Sequence, residues 1–294
     1  MRAFLPSYDL VAPDTLADAL AMISREPRGW RPFAGGTDLM VQLEAGKLPE
    51  GRYLGLWRLA EWRRIDRSPT HVTLGALTTY SDVLNDAGLQ QEFPLLGRAA
   101  AETGGIATQN RGTIGGNIAN ASPAADTPPA LLVYDAELEL VSSRGTRVVP
   151  YDRFHLGYKK MDLAADELIQ RIRLPRRDNS HEGRDGSWFQ YYRKVGTRRA
   201  QAISKVCVAA ALHIVDGRID AARLAVNSVA PAVIRARTAE QALTGRRPDA
   251  AVIRSAQDAL ARDIAPIDDI RSTSQYRLRV AQRLLEECLE QVHR

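Results

Sequence analysis

Apolar residues first recur at helical spacing near the start of the chain, at Leu16, Leu20 and Ile23. That stripe predicts an amphipathic helix over 14–26, with Asp14 as its N-cap and Pro27 as its stop. A short strand at 31–33, a Gly35-Gly36 turn and a helix from near Asp38 come next. Residues 53–57 read as a strand, and 65–66 with 72–75 as an antiparallel pair around a Ser-Pro turn. A short capped helix is expected at 79–85. A longer one is expected at 94–102, broken by Gly104-Gly105. Residues 112–126 read as a loop between helical segments, and 128–133 as an apolar segment opened by two prolines. Residues 137–141 alternate strictly and predict a strand, which turns at Arg144-Gly145 and returns over 146–150. Residues 151–160 read as an aromatic and basic loop, and 167–174 as a strand ended by Pro175.

The stretch 176–187 is polar and has no periodic apolar positions, so the main domain boundary is placed there. Beyond it, 188–195, 204–215 and 218–229 read as antiparallel strands, with Asp216-Gly217 as a hairpin turn. Helices are predicted at 238–243, 249–260 and 276–292. The last places Leu278, Ala281, Leu285, Cys288 and Val292 on one face. Strands followed by helices imply an α+β domain.

Composition narrows the class. At 294 residues the chain is long enough for two domains, and 45% hydrophobic with 26% charged residues is ordinary for a soluble globular protein. No apolar run approaches a bilayer span, and the N-terminus has no stretch of signal-peptide length, so a cytoplasmic location is expected. The two cysteines, Cys207 and Cys288, have no metal-ligand spacing. An iron–sulfur cluster on this chain is excluded, since it needs about four thiolates. The net charge of +5 gathers at Arg171, Arg173, Arg176 and Arg177 and at Arg193, Lys194, Arg198 and Arg199. With no interleaved aromatics and no reading helix, these clusters do not describe a nucleic-acid binder. Solvated faces, an anionic cofactor and an acidic partner all remain open.

Two stretches carry chemistry. The first, residues 31–43, sets a strand, a glycine turn and a helix start in sequence. Unpaired amides and the helix dipole converge at such a corner and favour an anion, with the Thr37 hydroxyl as a further donor. Asp38 suits a helix cap better than a phosphate contact. The second stretch, 112–126, holds Gly112, Gly115 and Gly116 with Asn117 and Asn120, and no charge until Asp126. It reads either as a tight turn or as a bare backbone on which a ligand lies, with consecutive amides facing one anion. Neither stretch is a Walker loop or G-x-G-x-x-G. The five histidines, His71, His155, His181, His213 and His293, have no metal spacing, and no nucleophile elbow is present. Two phosphate-like corners without acid–base machinery imply a large diphosphate cofactor that carries the chemistry itself.

Residues 33–39 (Phe-Ala-Gly-Gly-Thr-Asp-Leu), 113–118 (Thr-Ile-Gly-Gly-Asn-Ile) and 122–126 (Ser-Pro-Ala-Ala-Asp) together resemble the FAD-binding medium subunits of the molybdenum hydroxylases. Residues 154–169, 192–206 and the final helix from about 271 extend the resemblance over nearly the whole chain. It implies an α+β fold. A two-lobed FAD-binding domain of the vanillyl-alcohol-oxidase/MurB-like type would span 1–176, with lobes of about 1–57 and 58–176. A smaller α+β domain would span 186–294, wall the flavin and contact partners. The backbone from Ala34 through Gly35, Gly36 and Thr37 to Asp38, flanked by Pro32, Phe33 and Leu39, would grip the pyrophosphate from one side. Thr113, Ile114, Gly115, Gly116 and Asn117 would grip it from the other, so a side chain at Gly115 or Gly116 would take the pyrophosphate's place. Asp126 would hold the sugar or polar end, Ile169 would offer backbone near the isoalloxazine, and Lys194 would contact the flavin. Tyr191 or Tyr192 would cover the ring. Thr103 belongs to the contact set but stands where some family members carry an aromatic, so it brings no ring to stack.

The implied function is electron relay, with no catalytic or metal-binding residue on this chain. Substrate would be hydroxylated at molybdopterin on a large subunit, and electrons would cross two [2Fe–2S] clusters on a small subunit to FAD here. They would leave to NAD, oxygen or a quinone. A xanthine-dehydrogenase-like heterotrimer, or its dimer, is the first expectation. A free-standing FAD-dependent oxidase and a non-redox nucleotide-diphosphate-binding structural subunit are the alternatives.

Overall fold

The computed structural model describes residues 7–48, 50–176, 186–198 and 201–292. The described chain begins with β1 (Tyr8–Val11), a strand too exposed to leave an apolar pattern, followed by α1 (Leu16–Arg25). Thr15, not Asp14, caps α1: its extended backbone lets the hydroxyl accept from Asp18 N at 3.1 Å. Asp14 pairs instead with Arg58 at 2.8 Å. β2 (Trp30–Phe33), α2 (Leu39–Glu44) and β3 (Gly51–Gly55) complete a small parallel sheet in the order β1-β3-β2. Phe33, Leu43, Leu48 and Tyr53 form its own small core.

The next region is a five-stranded antiparallel sheet with helices. β4 (Ile65–Arg67) and β5 (His71–Gly75) pair as expected, Ile65 opposite Leu74. Six helices follow: α3 (Tyr80–Asn85), α4 (Ala87–Glu92), α5 (Pro94–Glu102), α6 (Ile106–Arg111), α7 (Ile114–Asn120) and α8 (Pro128–Val133). Thr79 closes a full capping box with Asp82 on α3. α7 corrects the reading of 112–126 as a loop. Ile114 and Ile118 lie one turn apart and are fully buried, while Thr113 caps the first turn. That burial outweighs the poor helix propensity of two glycines and two asparagines. β6 (Glu137–Ser142) and β7 (Gly145–Pro150) form the expected hairpin. The predicted loop 151–160 contains a short hairpin, β8 (His155–Gly157) with β9 (Lys160–Met161). β10 (Leu168–Pro175) inserts centrally and gives the order β4-β5-β10-β6-β7.

The last region is a meander of β11 (Gly186–Val195), β12 (Val206–Val215), β13 (Arg218–Asn227) and the unanticipated two-residue β14 (Ile234–Arg235). α9 (Arg237–Leu243), α10 (Ala250–Asp263) and α11 (Ser274–Gln291) follow. Asp249 caps α10 and Thr273 caps α11. β12 shows how this sheet joins the rest. Val206, Val208, Ala210 and Leu212 face a core shared with the three helices, and the last helix adds Ala281, Leu285 and Cys288 to it. Cys207, Ala209 and Ala211 face the large core built around β5, β6, β10 and the helices α3 to α8. With both faces covered, the strand reads as one apolar run. Of the polar stretch placed at the boundary, residues 177–185 lie outside the described residues, as do Arg199 and His293.

Candidate cofactor-binding site

After β2 the chain leaves the sheet at Ala34 and turns through Gly36, whose φ of +74 is in the left-handed region that glycine enters without strain. α2 begins as Met40 N donates to Gly36 O at 2.9 Å. Among the described residues, the amides of Gly35, Gly36, Thr37 and Asp38 have no intramolecular acceptor. A Cβ on Gly36 would lie 2.5 Å from the Phe33 ring, and that ring is held edge-on by Tyr53 and Trp57. Pro32, Thr37 and Asp38 are exposed at the turn, and Leu39 packs partly on the small core. Asp38 stands at the N-cap position but makes no side-chain cap, contrary to its expected role. Its backbone is already helical, and its carboxylate accepts from Gln42 one turn on.

The second corner is built differently from its expected form. Ile114 N donates to Thr78 O and Gly115 N to Ala76 O, both at 2.9 Å. Gly116 N donates to the Thr113 hydroxyl at 3.1 Å and Asn117 N to Thr113 O at 2.9 Å. The expected run of free amides is therefore absent here: Ile114 N and Gly115 N fasten α7 to the β5–α3 connection, and Gly116 N and Asn117 N close its first turn on Thr113. Gly115 is small for the same reason. A Cβ there would meet Ala76 O at 2.7 Å, so its missing side chain makes room for protein backbone and not for a ligand. Asn117 Oδ1 accepts from the Thr127 hydroxyl at 2.6 Å.

The two corners touch. A Cβ on Gly35 would lie 1.8 Å from Arg111 O and 3.1 Å from Gly112 Cα, and one on Gly116 would lie 3.7 Å from Ala34 Cβ. The open amides of the first corner thus sit against the second. Lys159, on the β8–β9 turn, adds a cation that sequence reasoning did not single out as a site residue. Its ammonium donates to Asn120 Oδ1 at 2.7 Å and also to Asn120 O, capping α7. Partial burial lowers its pKa, against the attraction of Asp38 on the other corner. The available signal was a lysine in a glycine-bearing turn that lies within the resemblance.

A third cluster joins the C-terminal sheet to these corners. Lys194 Nζ on β11 lies 2.8 Å from Asp126 Oδ2 and donates to Glu102 O at 2.9 Å. Both side chains are buried, at 5% and 11% exposure. Asp126 Oδ1 is buried as well, with no partner among the described residues. Burial outweighs the attraction of Lys194 and raises the Asp126 carboxyl to about 6. The surrounding segment receives three further bonds from the C-terminal sheet: Ser228 N to Pro123 O, Asn227 Nδ2 to Ala125 O, and the Tyr192 hydroxyl to Asp126 O.

Thr103 ends α5 and turns its hydroxyl back to Ala99 O at 2.8 Å. Ile169 is buried in β10 at a register shift opposite β6. Its neighbour Gln170 O accepts from Ala76 N at 2.9 Å, so Ala76 links β10 to Gly115. Tyr191 packs in the core beneath the helices and Tyr192 in the large core. The side chain of Tyr191 thus faces away from the corners. Among the described residues no His, Cys, Asp or Glu group could hold a metal ion, and no helix is long and apolar enough to cross a membrane.

Residues 6–177 match the family described as "FAD binding domain in molybdopterin dehydrogenase", and residues 190–292 match "CO dehydrogenase flavoprotein C-terminal domain". The first match alone spans more than half of the chain. The chain belongs to this family: it is an FAD-binding oxidoreductase subunit of the molybdenum hydroxylase type. It is 31% identical to the xanthine dehydrogenase FAD-binding subunit of Escherichia coli O157:H7, covering 94% of this chain and 93% of that one. It is 30% identical to the glyceraldehyde dehydrogenase medium chain of Sulfolobus acidocaldarius, covering 98% and 99%. Among solved structures, carbon monoxide dehydrogenase from Hydrogenophaga pseudoflava has a chain that superposes with a TM-score of 0.91 at 26% identity, covering 98% of this chain and 97% of its own.

Proposed function

We propose that this chain relays electrons through FAD within a multi-subunit molybdenum hydroxylase. It would take them from two [2Fe–2S] clusters on a small subunit, fed by molybdopterin on a large one. The observation that carries the reading is the contact between the two glycine corners, with four open amides on one side. Such amides suit a diphosphate that no protein group already occupies. When bound, FAD supplies the redox chemistry itself. The chain's own residues bind and orient it. Pro32 to Leu39 and Thr113 to Asn117 frame the diphosphate, Thr103 and Ile169 border the ring, and Asp126 and Lys194 bring charge to the cleft. Residues 1–176 are taken as the FAD-binding domain, with lobes of about 1–57 and 58–176, and 186–294 as the domain that walls the flavin and meets partners. The separate sheets support that division.

Xanthine-dehydrogenase-like chemistry is the first reading, supported by the xanthine dehydrogenase relative. NAD is the first acceptor to test, ahead of oxygen or a quinone, and the proposed location is the cytoplasm. The test begins with the absorbance spectrum of the purified chain and the metals that co-purify. A steady-state assay with NAD and with oxygen, over purines, aldehydes and N-heterocycles, then separates the substrates. A flavin spectrum with iron and molybdenum is expected. A colourless chain that takes up no FAD on reconstitution overturns the reading. Flavin without partner subunits would mark a free-standing oxidase.

A further inference from the structure

The Lys194–Asp126 pair is made by two separate parts of the fold. Lys194 comes from β11, and Asp126 follows the helix that ends the second glycine corner. Lys194 carries three donors; Asp126 Oδ2 takes one and Glu102 O a second. The pair is buried, and Asp126 is anchored through its own carbonyl by Tyr192. A lysine on four flexible carbons is thus held in one place by a carboxylate that also cancels its charge. Lysine without such a partner is a mobile point charge.

We propose that Asp126 acts on the bound flavin through Lys194, as a positioning residue that pins and neutralises the ammonium and so holds the cofactor's reduction potential down. The inference rests on the reading above that Lys194 lies beside the flavin. A net positive charge near the ring favours the reduced, more negative form. A neutral pair gives much less of that effect, because the carboxylate opposes the ammonium at almost the same distance.

The experiment is a spectroelectrochemical titration of the flavin in the complex as purified, for wild type, Asp126→Asn, Lys194→Met and the double variant. Flavin content and thermal unfolding are recorded for each. Asp126→Asn unmasks the ammonium and is expected to shift the two-electron equilibrium toward reduced flavin by about tenfold, or about 30 mV for a two-electron couple. Lys194→Met is expected to move it the other way; without the ammonium that holds its pKa down, the buried Asp126 carboxyl is protonated and neutral at pH 7, so the double variant is expected to match Lys194→Met. An equal upward shift from Asp126→Asn in the Lys194→Met background means that Asp126 acts on the flavin directly, and overturns the proposal. No shift in Asp126→Asn overturns it too. If Lys194→Met fails to fold because it strands a buried carboxyl group, the neutral double variant is compared with Asp126→Asn alone. The double variant must lie at the lower potential, and equality refutes the idea. A wild-type complex without flavin overturns the functional reading itself, and is seen before any variant is made.

Discussion

Gly35 and Arg111 meet through backbone alone: a Cβ added to Gly35 would sit 1.8 Å from the Arg111 carbonyl oxygen. No rotamer change relieves such a contact, because neither atom belongs to a flexible side chain. Gly35→Ala is therefore expected to push the two corners apart and to destabilise the fold by about 1–3 kcal/mol or more. Flavin retention should fall further than stability does. Chemical denaturation of the flavin-free protein and flavin content after desalting measure the two effects. A Gly35→Ala protein with wild-type stability and full flavin would show that the corners need not touch.

Gly115 and Gly116 are adjacent in sequence but serve different purposes. Gly115 makes room for Ala76, whose backbone oxygen would be 2.7 Å from an added Cβ. Gly116 faces the Thr113 hydroxyl at 2.8 Å and Ala34 on the other corner at 3.7 Å. Gly115→Ala should cost about 1–3 kcal/mol of stability by overpacking. Gly116→Ala should cost about 1 kcal/mol, through a displaced cap, and should weaken FAD binding more than Gly115→Ala does. Denaturant midpoints and FAD titrations of the two variants give the comparison, and the reverse order would contradict this division of roles.

The glycine motifs, the Thr79 cap and the turns at Arg144-Gly145 and Asp216-Gly217 were legible in the sequence because each depends on residues a few positions apart. The caps read at Asp14 and Asp38 did not form, and the β8–β9 hairpin was read as a loop. α7 was not legible, because glycine and asparagine signal a loop and only the burial of Ile114 and Ile118 makes the segment a helix. The direction of its first two amides was hidden for the same reason: their acceptors, Thr78 and Ala76, belong to a distant stretch. Lys194 was singled out by resemblance, but nothing local to Lys194 or Asp126 reveals that they pair. Sequence also could not divide Tyr191 from Tyr192, since adjacent strand residues face opposite sides and the burial of both sides is a tertiary fact.

Arg235 ties the C-terminal region to α8. Its guanidinium lies 2.6 Å from Asp135 Oδ1, 3.0 Å from Leu132 O and 2.5 Å from Glu240 Oε1, with 5% of the side chain exposed. Glu240 is also buried and accepts from Leu224 N at 2.7 Å. Removing the cation leaves that carboxylate buried without its main partner. Arg235→Met is expected to cost about 3–5 kcal/mol. Arg235→Met with Glu240→Gln should recover part of the loss. Urea denaturation of both variants provides the check, and an Arg235→Met loss below about 1 kcal/mol would mean that solvent reaches the pair.

Asp126 gives the fold a defined pH dependence even without cofactor. Its carboxyl stands at about 6 in the folded chain, against an ordinary 3.8, chiefly because it is buried. Lys194 on β11 pulls it down, Glu102 on α5 pushes it up, and Tyr80 on α3, Tyr192 on β11 and Cys207 on β12 stay neutral beside it. A folded pKa raised above the unfolded one means that folding favours the protonated acid. The contribution is fully present below about pH 4 and is lost as pH rises through about 6. A shift of about two units corresponds to roughly 3 kcal/mol. Flavin-free wild type is therefore expected to lose about that much stability relative to Asp126→Asn between pH 4 and pH 7, with the gap constant above pH 7. The same titration bears on the flavin. Below pH 6 the protonated wild type should converge on the potential of Asp126→Asn, whereas at pH 8 the two should differ most. Urea titrations at a series of pH values and paired potentiometric titrations measure both, and a wild-type-to-variant gap that is flat from pH 4 to pH 8 would place the Asp126 titration outside this range.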